Sequence, residues 1–279
     1  MNEDPPPSPV AWQPLTFSGV AAFAHAKTSR LWLVQLGVAV LVAVSVLIFL
    51  NQTWCPTITA AIHALPDTGQ IRGRQLEWFG DDPVILHESP FLAIIVDTAD
   101  SGATGQIADL QLELGRGELR FVALLGALGV PYPDGWEIAV NRPELEPWWG
   151  AWAPMLRAAV ALLTLISLFV VWTLLAFLYA PVARLIVFFA DRDAGWRDCW
   201  RLAGAALMPG ALLMSCAIVL YSAGQLTLIH LAFAQVLHLV VGWIYLLGAP
   251  FGLSRALPPV LAKVNPFVPP AESPPPAAG

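Results

Sequence analysis

Apolar residues fall along the chain in two different rhythms. Leu31 to Leu50 carries no charge and one glutamine, and about 20 such residues cross a bilayer core of roughly 30 Å. Long apolar runs recur at 155–180, with Arg157 near its start, and at 202–222 and 226–247, which carry no Asp, Glu, Lys or Arg. Between the first two of these, the texture changes to short apolar runs broken by Gly, Pro and Asp, the pattern of strands joined by turns. Leu110-Gln111-Leu112-Glu113-Leu114 and Glu118-Leu119-Arg120-Phe121-Val122 alternate strictly on either side of Gly115-Arg116-Gly117, which predicts a β-hairpin with one buried face. Arg74 to Phe79 alternates similarly, and Leu92 to Val96 is a continuous apolar run suited to a central strand.

The expected fold is therefore membrane α-helical, with four transmembrane helices. A small, mainly antiparallel β extracytoplasmic domain is inserted between helices one and two. In order, the pattern predicts a cytoplasmic N-terminal tail and interfacial helix over 1–30, a span over 31–50, the β-rich domain over 51–154 and a second span over 155–180. A cytoplasmic connection over 181–201, spans over 202–222 and 226–247, and a Pro-rich cytoplasmic tail over 248–279 complete it. Pro5 to Pro7 and Pro9 exclude helix at the start. Ser18 is the expected N-cap of a short helix that lays Val20, Phe23 and Ala24 on the inner membrane surface. Trp136, Trp148, Trp149 and Trp152 suit the headgroup level and lead the chain back into the membrane. Pro181 is expected to kink or end the second span, and Asp193 to cap a helix carrying Trp196, Cys199, Trp200 and Ala203.

Composition agrees with a bilayer as solvent: hydrophobic residues make up 57% and charged residues 12%, with a net charge of -6. The carboxylates concentrate between Pro56 and Glu146, whereas arginines flank the spans, which argues against nucleic acid as a partner. Lys27, Arg30, Arg184, Arg201 and Arg255 outvote Arg157 for the cytoplasmic side. The arginines inside the long outer segment do not count, because long domains translocate largely regardless of charge. Localisation is thus the bacterial cytoplasmic (inner) membrane, multi-pass, with both termini cytoplasmic. The first span is longer than a signal-peptide core and Asn51-Gln52-Thr53-Trp54 offers no small-residue cleavage site, so it is expected to remain as an anchor. Cys55, Cys199 and Cys216 lie in three separate places and define no internal disulfide.

Nucleophile elbows, zinc-protease helices, phosphate-binding glycine loops and paired zinc cysteines are absent from the sequence. The expectation is a non-catalytic protein with no cofactor and no metal. Asp81, Asp82, His87, Glu88, Asp97 and Asp100 are types that bind divalent cations, but no ligand-loop spacing joins them, so they read as a solvated acidic surface. Inside the membrane, His230, Gln235 and His238 on the fourth span and Ser215 with Cys216 on the third are the candidate polar packing residues, since polar groups in hydrocarbon turn inward to find partners. Pro209 and Gly210 form a candidate kink. Counting back from the short turn between the third and fourth spans brings His238 level with that kink. Its imidazole is expected to approach the carbonyl that Pro209 leaves open. Ala206 with Gly210, and Ala39 with Ala43, are four-residue pairs of small side chains that let backbones approach.

Ile94-Ile95-Val96-Asp97-Thr98, and Arg201-Leu202-Ala203 running to Met208-Pro209-Gly210, give the chain its one family likeness. It resembles a bacterial family of multi-span membrane proteins, some assigned to maltodextrin utilisation, and more distantly the Yip-type membrane proteins of vesicle traffic. The resemblance implies a non-catalytic envelope protein and supplies no active site. The partners expected are the lipid bilayer and an envelope protein or a second copy. A small transporter or transporter subunit using the third and fourth spans, and a sensor needing a cytoplasmic partner, are the alternatives.

Overall fold

The computed structural model describes residues 11–102 and 105–255. The prolines before Ala11 and the Pro-rich tail after Arg255, with Lys263, lie outside the described residues. Among the described residues, four helices are long and apolar enough to cross a membrane, and eight strands form two small sheets.

A short helix α1 (Phe17–Ala22) precedes α2 (Thr28–Phe49). Thr16, not Ser18, caps α1, its hydroxyl accepting from the Gly19 N–H at 3.0 Å. Val20, Phe23 and Ala24 do share one side, but they are fully buried in the bundle core and do not lie against lipid. Phe17 packs on Tyr245 at 5.0 Å, so this segment closes one end of the bundle.

The first long helix does not end at Leu50. It passes through a wide π-type turn, Leu50–Trp54, into α3 (Cys55–His63). Pro56 explains the turn, because a proline there removes one backbone donor and crowds the carbonyl four residues back, which the wider turn relieves. Thr53, Thr57 and Thr59 each donate to the carbonyl four residues earlier, so polar residues that resemble a loop instead continue the helix.

The strands span Gly69 to Ala139, a narrower segment than 51–154. One sheet has the order β2 (Gln75–Trp78), β1 (Gly69–Arg72), β8 (Ile138–Ala139). The other runs β3 (Val84–Glu88), β4 (Leu92–Val96), β5 (Leu110–Leu114), β6 (Glu118–Ala123), β7 (Gly126–Pro131). The alternating segments pair as a hairpin in the register Leu110↔Ala123 to Leu114↔Leu119, with the Gly115 N–H bonded to the Glu118 carbonyl at 3.0 Å. Leu92–Val96 is an inner strand, antiparallel to β3 and parallel to β5, the one parallel pairing among the described residues. Its residues are almost wholly buried because both faces are covered.

The tryptophan-rich stretch is helical. Asn141 caps α4 (Arg142–Phe189) by accepting from the Glu144 N–H at 3.1 Å, and Pro143 occupies the first turn, where its missing donor costs nothing. Pro147, Pro154 and Pro181 all lie inside this helix, so Pro181 does not end it. Apolar runs continue on both sides of Pro181, and Ala180 and Ala183 are fully buried against neighbours that hold the backbone in place. After α4 come α5 (Trp196–Ala206), α6 (Met208–Ser222), α7 (Leu228–Gly248) and a 3-10 turn, Ala249–Gly252. Gly195, not Asp193, is the N-cap of α5, and its N–H donates to Asp198 at 2.7 Å. The helical stretch Trp196–Ser222 is interrupted at Leu207, just before Pro209, where the missing proline donor and the crowded preceding turn break the ladder, so the interruption falls beside the expected kink at Pro209 and Gly210.

The two ends of the bundle differ. At one end, arginines hold the connections: Arg201 donates to the Ala24 carbonyl at 2.9 Å, Arg192 to that of Leu253 at 2.6 Å, and Arg184 to that of Ala194. At the other stand the sheets. Ala61 and Leu65 pack with Ile71, Leu76, Leu86, Val96 and Tyr132 in a core separate from that of the bundle. Burial pushes the Tyr132 phenol up to about 12, and Glu118 adds to the shift.

Candidate functional site

α6 and α7 meet at small residues. A β carbon on Gly210 would collide with the His238 carbonyl oxygen, and one on Gly242 would sit 3.8 Å from the Ala206 carbonyl. Ala206 and Gly210 therefore face Gly242 and His238 across an antiparallel contact, each pair four residues apart. Gly242 had no sequence signal beyond being a glycine in an apolar run.

His238 thus comes level with Gly210, but it meets α6 through its backbone. Its imidazole Nδ1 bonds to the Gln235 carbonyl on its own helix and not to α6, which corrects the expected approach to the carbonyl freed by Pro209. The close backbone contact leaves no room for the ring between the helices. Gln235 is exposed and His238 half-buried. Both border a crevice of about 230 Å³ between α7 and the helices facing it, together with Trp172, Tyr179, Met214 and Val42. Two polar side chains in an otherwise largely apolar wall can orient a ligand with one polar group, and no carboxylate stands beside His238 there to share a proton.

The remaining candidates do not join this crevice. His230 stands in the first turn of α7, where its Nδ1 lies 2.8 Å from the Thr227 hydroxyl that caps the helix. Ser215 is buried and bonds to Ser45 of α2 at 2.8 Å, while Ser45 also donates to the Leu41 carbonyl at 2.9 Å. Cys216, next to it, is exposed. Gln35 of α2, fully inside the bundle, donates to the Gly204 carbonyl at 3.3 Å. Sequence reasoning passed over Ser45 and Gln35, although a lone polar residue in an uncharged run is itself the signal that could have found them.

A second assembly joins the bundle to the strands. Phe49 of α2, Tyr221 of α6 and Phe91 ahead of β4 form an aromatic triangle, with Phe91 edge-on to Tyr221 at 5.0 Å and Phe49 stacked on Tyr221 at 5.6 Å. The Tyr221 hydroxyl donates to Asp109 at 2.5 Å. Thr57 bonds to Ser89 at 3.1 Å, Trp149 to Thr59 at 2.9 Å and Arg157 to Asn51 at 2.8 Å. Trp148 and Trp152 lie stacked and exposed on the same helix, farther along it from the bundle than Arg157.

The acidic residues of the strand region serve local structure. Asp97 accepts from the backbone N–H groups of Ser101 and Gly102, at 2.9 and 3.1 Å, and Asp82 from that of Thr98 at 2.9 Å. Burial raises the Asp97 carboxyl, but those donors and Arg120 outweigh it and hold the group below the usual carboxylate range. Asp100 pairs with Arg120 at 2.7 Å, whereas Asp81, His87 and Glu88 are exposed. Among the described residues no group of three His, Cys, Asp or Glu could hold a metal ion.

No family model, curated protein or solved structure matches the chain.

Proposed function

We propose that this chain is a non-catalytic accessory or scaffold protein of the bacterial cytoplasmic membrane, whose strand region stands outside and meets an envelope partner or ligand. The observation that carries the reading is the joint at Phe49, Phe91, Tyr221 and Asp109. It fastens an acidic β region to the opposite end of the bundle from the arginine-held connections. Under the positive-inside tendency that arginine end is cytoplasmic and the strands are outside. Exposed Phe79 and Trp136 on or beside the strands, 70% and 62% accessible, give the outer region anchors of the kind that protein interfaces use.

Topology reporters provide the test. Fusions within the Asp191 to Asp198 connection and after Ser273 are expected to report cytoplasm, and one near Gly102 the outside. The reverse pattern overturns the orientation. A photocrosslinker placed at Phe79 or Trp136 is then expected to capture one discrete envelope protein. Capture of lipid alone removes the scaffold reading. The crevice beside Gln235 and His238 favours a second reading, a small transporter or transporter subunit, which requires cells lacking the chain to lose uptake of a solute and His238→Leu to reproduce that loss without lowering abundance.

A further inference from the structure

The β6–β7 hairpin ends in a turn with no ordinary place in water. Leu124 is 57% exposed and Leu125 is 100% exposed. Just beyond them, Leu128 and Val130 of β7 are 65% and 44% exposed. From Phe121 to Pro133 there is no charged residue. Among the described residues β7 is the edge of its sheet, with no strand paired on its outer side. An uncharged, apolar edge left in solvent is an aggregation hazard, and soluble proteins blunt such edges with lysine, proline or a cover. Among the described residues Pro131, at the end of the strand, is the one such device on β7.

Strand register shows where this turn points. The start of β4 is tied to the outer ends of the spans: Phe91 packs on Tyr221 and Phe49, and Ser89 bonds to Thr57. Its far end, Val96, packs with Ala61 and Leu65 farther along α3, so β4 runs away from the bundle. β5 is parallel to β4 and begins beside Asp109, which holds Tyr221. β6 is antiparallel to β5 and must return, with Ala123 coming opposite Leu110. Leu124 and Leu125 follow one residue later. At about 3.3 Å per residue and about 4.8 Å between strands, the turn reaches slightly past the level of Leu110 and stands one to two strand spacings to the side of it. That is the level of Tyr221 and of Arg157, which bonds to Asn51 at the end of the first long helix, where a bilayer around the spans would present its headgroups.

We infer that the Leu124–Leu125 turn dips into the outer leaflet of the membrane and acts as an apolar foot for the strand region. The inference rests on the membrane reading proposed above. The face of β5 to β7 that carries Leu112, Phe121 and Leu128 is continuous with the foot, while Glu113, Glu118 and Arg120 occupy the other face. The foot and the Tyr221 joint together give the sheet two points of attachment, which limits its rocking against the spans and fixes the height at which a partner is met.

The test uses the full chain with Cys55→Ser, Cys199→Ala and Cys216→Ala, reconstituted in phosphatidylcholine–phosphatidylglycerol vesicles. Single cysteines carrying an environment-sensitive fluorophore are introduced by Leu125→Cys, by Phe233→Cys on an exposed position of α7, and by Arg116→Cys at the far hairpin turn. The Leu125 label is expected to be quenched several-fold more by lipids bearing a nitroxide near the headgroup than by iodide, as the Phe233 label is by lipids with the nitroxide deep in the chain. The Arg116 label is expected to respond to iodide alone. If the Leu125 label follows Arg116, the foot stands in water and the inference fails while the membrane reading survives. Shielding of Leu125 from both quenchers means a protein contact, such as a second copy at the β7 edge, and also overturns it. Lack of lipid quenching at Phe233 removes the membrane reading and this inference with it.

Discussion

Two segments of the bundle are comparably suited to cross a membrane, yet they sit in opposite surroundings. In the most apolar stretch of α5–α6, 61% of the residues are buried by the rest of the protein, against 11% in α7 with its following turn. Hydrophobicity does not separate them, because lipid tails are as apolar as leucine and give no drive toward the protein interior. Side-chain size does. The first presents Ala203, Gly204, Ala205, Ala206, Gly210 and Ala211, against which α2, α4 and α7 can lie closely. Most of α7 is lined with Ile229, Phe233, Val236, Leu237 and Leu239, all exposed, and only its Gly242 and Leu246 are buried. Between these two segments, small residues concentrate on the inside and bulky apolar residues on the outside, although Leu202 and Met208 are also fully buried.

The largest effect is expected where the two segments touch. Gly210→Leu should push the His238 backbone away and destabilise the bundle by about 3 kcal/mol, the upper part of the range for overpacking. Gly242→Ala, with ordinary contact distance at its site, should change stability by less than about 0.5 kcal/mol. Thermal unfolding in detergent compares the pair, and equal effects would break the contrast. Next come the polar contacts within the tightly packed half. Gln35→Leu should cost about 1 kcal/mol as its bond to the Gly204 carbonyl is lost, and Ser215→Ala roughly 0.6 kcal/mol with loss of Ser45 as partner. A double-mutant cycle on Ser45 and Ser215 would show whether their coupling is of that size.

Smaller still is the effect of His238→Leu, expected at under about 0.5 kcal/mol because the imidazole bonds only to a carbonyl of its own helix that α7 already engages. A melting temperature that falls as far as for Gln35→Leu would mean that the ring supports the α6 contact after all. On the proposed membrane reading, Phe233→Ala, on a position 69% exposed, should be nearly silent, because contact with lipid would change little between folded and unfolded states. A loss of more than about 1 kcal/mol there would show that the exposed face of α7 is covered by protein, such as a second copy.

By itself, the sequence determined the number of long apolar segments, their approximate centres and the hairpin between Leu110 and Val122. Those features rest on local chemistry: the length of an uncharged run, and alternation around a glycine turn. Helix ends escaped it, because Asn51, Gln52 and Thr53 read as a stop until hydroxyl-to-carbonyl bonds and a wide turn at Pro56 carry the helix onward. The tryptophans at 148, 149 and 152 read as an irregular approach to the membrane, although the Asn141 cap makes them helical. The site was legible only in part: the level of His238 follows from helical rise, but the direction of its ring depends on how closely Gly210 admits the neighbouring backbone. Ser45 and Ser215 stand 170 residues apart, and Gln35 and Gly204 169, so no local pattern connects them. Tertiary structure alone decided which apolar residues face protein and which face outward, because an environment as apolar as the core leaves no periodic stripe in the sequence to distinguish the two.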